Sequence, residues 1–165
     1  MPLTLFRLVT ILLVALVAGL AFAHVLEQPA KMQYDAILYI TLQKSLYVQW
    51  GPPQLGGFLE PAAIATTGLL ALLSRKSTRT LWFSLAALAL LLLAFPVVFF
   101  WLVAPANAGF AAATLPRIPS DWEAWRVVWE AGHAVRFVLQ FAALALLVLS
   151  LALHATVPSG RNDPA

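Results

Sequence analysis

The chain has 165 residues, of which 62% are hydrophobic and 10% charged, whereas a soluble globular domain is about a quarter charged and nearly half apolar. Ten Lys/Arg against seven Asp/Glu leave a net charge of +3, with no run of basic residues of the kind that grips nucleic acid. A mean hydropathy of +0.87 and the absence of cysteine exclude a water-soluble enzyme, a nucleic-acid module, a disulfide scaffold, a zinc ribbon and a Cys-ligated iron–sulfur centre.

The composition reads as one all-α integral membrane domain, a four-transmembrane-helix bundle. A spanning helix needs about 20 mostly apolar residues. The first span is expected over about 4–26; its stretch Leu8–Leu26 has no formal charge, and His24 is its only strongly polar side chain. An amphipathic interfacial helix follows over about 33–50, with Tyr34, Ile37, Leu38, Leu42 and Leu46 at helical spacing as its apolar side. Gly51-Pro52-Pro53 ends it. The second span is expected over about 55–74. The charge-free stretch between Glu60 and Arg75 is too short for a slab of about 30 Å. The helix must therefore start near Leu55, which places Glu60 inside the outer edge, where a carboxylate needs a partner.

The third span is expected over about 80–103, kinked at Pro96. An outer loop over about 105–119 follows, with Asn107 as a turn residue. Ser120-Asp121-Trp122-Glu123 has the form of a capping box. No breaker follows before Pro158, so the fourth helix, with its span at about 131–156, is long and extends outside the bilayer. Arg75-Lys76-Ser77-Thr78-Arg79 packs three cations into one short loop and reads as cytoplasmic. Arg7, Arg161 and both termini then fall on the same side, and every acid except Asp163 falls on the extracytoplasmic side. A bacterial cytoplasmic (inner) membrane is the expected location. Ala21-Phe22-Ala23 imitates a signal-peptide cleavage site, but the first span is expected to be retained.

The polar residues expected at the outer side are few and clustered. His24 and Glu27 are three apart, as are Glu130 and His133, and Trp122, Arg126, Trp129, His133, Arg136 and Gln140 form one stripe on the fourth helix. Lipid will not accept such a face, so it should point inward. Four readings of the cluster stand. His24, Glu27, Glu130 and His133, with Glu60, suit a metal ion such as iron, manganese, copper or zinc. His24 and His133 suit a haem held from opposite helices. A metal-free pocket would pair Arg136 with Glu60 or Glu27, use His133 as acid/base or donor, and place Trp129, Trp125, Glu60 and Gln140 against a hydrophobic small molecule. A ligand-free salt-bridge network that fixes helix register is the fourth reading. Trp82, Trp101, Tyr39, Tyr47 and Trp50 fit interfacial aromatic belts, and His154 fits an interfacial position.

Four stretches resemble a known group: His24-Val25-Leu26-Glu27-Gln28-Pro29-Ala30-Lys31, Gln43-Lys44-Ser45-Leu46-Tyr47, Pro105-Ala106-Asn107, and Trp129-Glu130-Ala131-Gly132-His133-Ala134-Val135-Arg136. They resemble bacterial four-span membrane proteins of the anthrone-oxygenase-like family of domains of unknown function, over most of the chain. The resemblance implies a pocket at His24, Glu27, Trp129, His133 and Arg136. It also implies an oxygenase-like or other redox activity on a hydrophobic small molecule, without a conventional cofactor. The alternative is a non-catalytic accessory subunit that docks on a larger membrane complex. The expected partners are the lipid bilayer and either a hydrophobic small molecule or membrane proteins, and not nucleic acid.

Overall fold

The computed structural model of the chain describes residues 2–51, 54–115 and 117–155. The expectations placed on Pro52-Pro53, Pro158, Arg161, Asp163 and the side chain of His154 lie outside the described residues. What is described is helical, with no strand beyond an isolated bridge between Thr114 and Arg117. The helices are α1 (Pro2–Lys31), α2 (Ala36–Ser45), α3 (Leu55–Leu73), α4 (Thr78–Leu92), α5 (Ala104–Ala112) and α6 (Trp122–Ala155). A single 3-10 turn, Tyr47–Gln49, follows α2, and a π-helical segment, Leu93–Val103, joins α4 to α5 without a break.

Four stretches are long and apolar enough to cross a membrane: Leu3–Lys31, Leu55–Leu73, Thr78–Ala112 and Trp122–Leu153. α1 and α4 each pack against both α3 and α6. Val14, Val17, Leu70, Ala87, Leu91, Ala143 and Leu147 fill the space between them, while Leu12, Leu16, Leu72, Val138 and Phe141 face outward. A second cluster, built on Tyr39, Ile40, Val103, Phe110 and Trp129, lies where α2 and α5 meet the start of α6.

Several boundaries differ from the sequence reading, each for a local reason. α1 runs through Pro29 to Lys31; near its end the Gln33 amide donates to the Pro29 carbonyl at 3.2 Å, which satisfies an acceptor left open at a helix terminus. The third long helix does not stop at Val103. Pro105 lies in the first turn of α5, where its fixed φ is compatible with helical winding, and the alanine-rich sequence carries the continuous helix to Ala112, so the connection starts only at Ala113. Pro96 has no donor for the carbonyl one turn before it. Its surroundings adopt the wider register, in which the Ala104 N–H bonds back to the Phe99 carbonyl.

α6 begins at Trp122, with the N–H groups of Ala124 and Trp125 directed at the Asp121 carbonyl. Asp121 rather than Ser120 therefore stands at the cap, and Glu123 turns to Arg126 at 3.9 Å. The interfacial helix splits into α2 and the 3-10 turn. Asp35 caps α2 by accepting from the Leu38 N–H at 2.8 Å. Tyr39, Ile40, Gln43 and Tyr47 are buried against the rest of the protein, while Ile37, Leu38 and Leu46 of the expected apolar side are exposed and Tyr34 and Leu42 are partly buried.

Three glycines permit close approach: Gly56 against the Trp50 carbonyl, Gly109 and Gly132. A Cβ at Gly132 would sit 2.8 Å from Val103 Cγ2 and 3.3 Å from Leu102 Cβ, and one at Gly109 would sit 2.8 Å from the Trp125 ring. At Gly19, on the same kind of apolar helix, nothing lies within 4 Å. Relative to a Gly19→Ala control, Gly132→Ala should therefore lower stability by about 1–3 kcal/mol. Thermal unfolding in detergent checks this difference, and equal midpoints would show that α6 and the π-helical segment do not pack this closely.

Candidate functional site

The C-terminal end of α1, the N-terminal ends of α3 and α6, and α5 converge at one end of the molecule. There the polar stripe of α6 turns inward, with Arg126, Trp129, His133, Arg136 and Gln140 all buried. Arg136 Nη2 donates to Glu60 Oε1 on α3 in a close ion pair. Gln140, one turn further along α6, donates Nε2 to both Glu60 oxygens at 3.1 and 3.2 Å. The carboxylate thus has a charge partner and an amide, as a buried acid needs. Arg136 also lies 5.2 Å from the centre of the Phe99 ring, and its Nη1 meets His133 Nδ1 at 3.3 Å. A guanidinium can only donate, so Nδ1 of His133 is the acceptor and the ring proton resides on Nε2.

A second knot ties α1 to α2 and α6. Lys31, with 2% of its surface exposed, places Nζ 3.0 Å from Glu130 and 3.7 Å from Glu27. The ammonium also lies 4.7 Å from the Trp129 ring centre and 5.0 Å from that of Tyr47, within cation–π range. The Tyr39 hydroxyl donates to Glu130 at 2.9 Å and the Tyr47 hydroxyl to Glu27 at 2.7 Å. Burial pushes both phenols well above the ordinary tyrosine range, and the carboxylate each one faces pushes it further. Trp129 donates its indole N–H to Asn107 of α5 at 2.7 Å.

Between these knots lies a cavity of about 390 Å³, a size that suits a small organic ligand. His24 and His133 stand on its wall with ring centres 4.0 Å apart. Trp129, Trp50 and Tyr47 surround His24 at 4.8, 5.0 and 5.1 Å. Val17, Leu20, Phe95, Phe99 and Phe110 supply apolar wall, Gln43 and Asn107 supply amides, and the Glu60–Arg136 pair forms part of the lining.

The structure thus brings His24, His133, Arg136, Glu60 and Trp129 to one cavity and leaves four expected residues off its wall. Glu27 and Glu130 are turned to Lys31 and the two tyrosines, and Gln140 lies beyond Glu60. Trp125 packs behind the wall against Phe110, with ring centres 5.9 Å apart. Sequence reasoning missed Lys31, Tyr39, Tyr47, Trp50, Gln43 and Asn107. The signal was present for some of them, because Tyr39, Gln43 and Tyr47 recur every four residues and Trp50 follows three later.

The residues do not fit the metal or haem expected of them. Among the described residues no three His, Asp or Glu side chains gather as a ligand set: His24 and His133 face each other, while Glu27 and Glu130 serve Lys31. A haem ligated from both sides would lie between the two imidazoles, and rings 4.0 Å apart leave no slot for it. A scan against protein-family models, a search of curated proteins and a search of solved structures each return no match.

Two outcomes follow for stability. Arg136→Leu should cost about 3–5 kcal/mol by leaving Glu60 buried and uncompensated, and Arg136→Leu combined with Glu60→Leu should recover much of that loss. Unfolding midpoints of the two single variants and the double variant test the coupling. The second outcome concerns pH. A phenol whose folded pKa is raised contributes stability that is intact below its unfolded pKa and lost as pH rises beyond it. The melting temperature should therefore fall above about pH 10, less so in Tyr39→Phe than in the parent.

Proposed function

We propose that the chain is an integral membrane protein in which the four long helices form a bundle, with the Arg75–Arg79 turn on the cytoplasmic side and the cavity towards the extracytoplasmic face of a bacterial inner membrane. In this reading the cavity takes up a hydrophobic small molecule and carries out oxygenase-like or other redox chemistry on it. The observation that carries the reading is the placement of two imidazoles, 4.0 Å apart, on the wall of an otherwise aromatic and apolar cavity. Burying them there serves no packing need that leucine would not meet, and polar groups inside an apolar slab mark function by default. The resemblance of the His24–Lys31 and Trp129–Arg136 stretches to the anthrone-oxygenase-like proteins supports the same pair of histidines.

The two rings divide the work. His133 accepts from Arg136 at Nδ1 and so has Nε2–H to donate to a ligand oxygen, in the manner of a fixed hydrogen-bond donor. The Arg136–Glu60–Gln140 set holds that tautomer in place. His24 Nδ1 has no hydrogen-bond partner among the described residues, lying 3.9 Å from Glu27, and the ring is left to accept a hydrogen bond from a ligand hydroxyl. Aromatic walls orient a flat molecule and exclude water. Dioxygen, soluble in the same apolar space, is the oxidant such chemistry requires.

The test uses purified protein in lipid nanodiscs, with extraction and mass spectrometry of retained small molecules. The parent should retain a hydrophobic compound, and His133→Ala and His24→Ala should lose it while keeping their helix content by circular dichroism. Retention unchanged in both variants would overturn the pocket reading. A second membrane protein copurifying in fixed ratio, with no retained compound, would favour the accessory subunit instead.

A further inference from the structure

The opposite end of the molecule holds a second polar site that the cavity does not use. Arg7 lies on α1, 5% exposed, with Nη2 donating to Thr80 Oγ1 at 3.3 Å. Thr80 Oγ1 lies in turn 3.1 Å from Ser77 Oγ, in the turn that joins α3 to α4. Arg7 Nε has no hydrogen-bond partner among the described residues, and neither has the buried hydroxyl of Ser74 in the same turn. Of the seven acidic residues, Asp163 lies outside the described residues; the others all sit at or beside the helix ends that surround the cavity. Arg7 and its neighbours Arg75, Lys76 and Arg79 thus gather at one end of the fold without a described carboxylate to balance them. Removing a guanidinium from water without an anion is costly, and a guanidinium with hydroxyls beside it is a donor set that matches phosphate oxygens.

We infer that Arg7, Ser77 and Thr80, at the junction of α1 with the α3–α4 turn, bind the phosphodiester head group of an anionic phospholipid. The apolar surroundings select a lipid over free phosphate. Leu3 and Leu8 are exposed on α1 beside Arg7, and Trp82 is exposed just beyond Thr80, so acyl chains have a surface to lie against while the head group enters past the partly exposed Ser77 to the buried arginine. Arg75, Lys76 and Arg79 add the positive field that attracts anionic lipid. This inference rests on the membrane-spanning reading and is independent of any chemistry in the cavity.

The experiment adds phosphatidylglycerol or phosphatidylcholine of identical acyl chains to the delipidated full chain in detergent, reading bound lipid by native mass spectrometry and the melting temperature. Phosphatidylglycerol should bind and raise the melting temperature, and Arg7→Gln should weaken it about tenfold, the loss of one charge-assisted contact, with phosphatidylcholine unaffected. Thr80→Val, which keeps the shape and the arginine, should weaken it in the same direction and carries the test if Arg7→Gln does not fold. Equal binding of the two lipids, or a preference that survives both substitutions, overturns the site. So does inorganic phosphate reproducing the shift, since the site would then take a free anion. Release of the chain from membranes by alkaline carbonate would instead refute the spanning reading, which separates the two failures.

Discussion

A carboxylate and a guanidinium buried in apolar surroundings must find each other, and Glu60 and Arg136 do. Both are buried, and in an apolar interior an unmatched charge costs several kcal/mol. Their contact fixes the rotation of α6 against α3, and with it the direction in which the rest of the stripe points. Once Arg136 faces α3, His133 and Trp129 face the same interior, and His133 meets His24 across from α1. Lys31 with Glu130 repeats the constraint two turns nearer the start of α6, tying in α1 and, through Tyr39, α2. Two matched charge pairs thus hold an open space between them without having to fill it.

Much of this was legible because the chain punishes misplaced charge. The four long apolar stretches, Glu60 at the edge of the second, and the inward stripe of α6 all follow from the cost of polar groups in an apolar setting. What escaped the sequence was of two kinds. Lys31 looks like an ordinary cation ending a helix, and only the tertiary contact with Glu130 shows that it is enclosed. Tyr39 and Tyr47 look like interface aromatics, yet each hydroxyl meets a carboxylate contributed by another helix. The protein-facing side of α2 escaped for the same reason: amphipathicity marks Ile37 and Leu38 as the apolar side, while the acids on α1 and α6 select the face that carries Tyr39 and Gln43 for contact with the rest of the chain.

The third long helix shows how a local defect is put to use. Two prolines, Pro96 and Pro105, would each interrupt an ordinary helix. The wider winding from Leu93 to Val103 absorbs the first, and the start of α5 absorbs the second. The result is an unbroken wall that presents Phe95, Phe99 and Val103 to the cavity and then delivers Asn107 to the indole of Trp129. Proline here changes the pitch of a surface rather than ending it.

The cavity lies towards one end of the long helices, between the last turns of α1 and the early turns of α3 and α6, and reaches Val17 and Phe95 near the middle of their helices. In the bilayer orientation proposed above, such a position would open chiefly into a single leaflet. On the function proposed above, a hydrophobic ligand dissolved in that leaflet would reach the histidines by lateral diffusion alone, whereas one dissolved in the other would first have to turn over across the midplane. For a ligand with any polar group that inversion is the slow event, so the side on which a compound is made or delivered would govern how fast this protein can capture it.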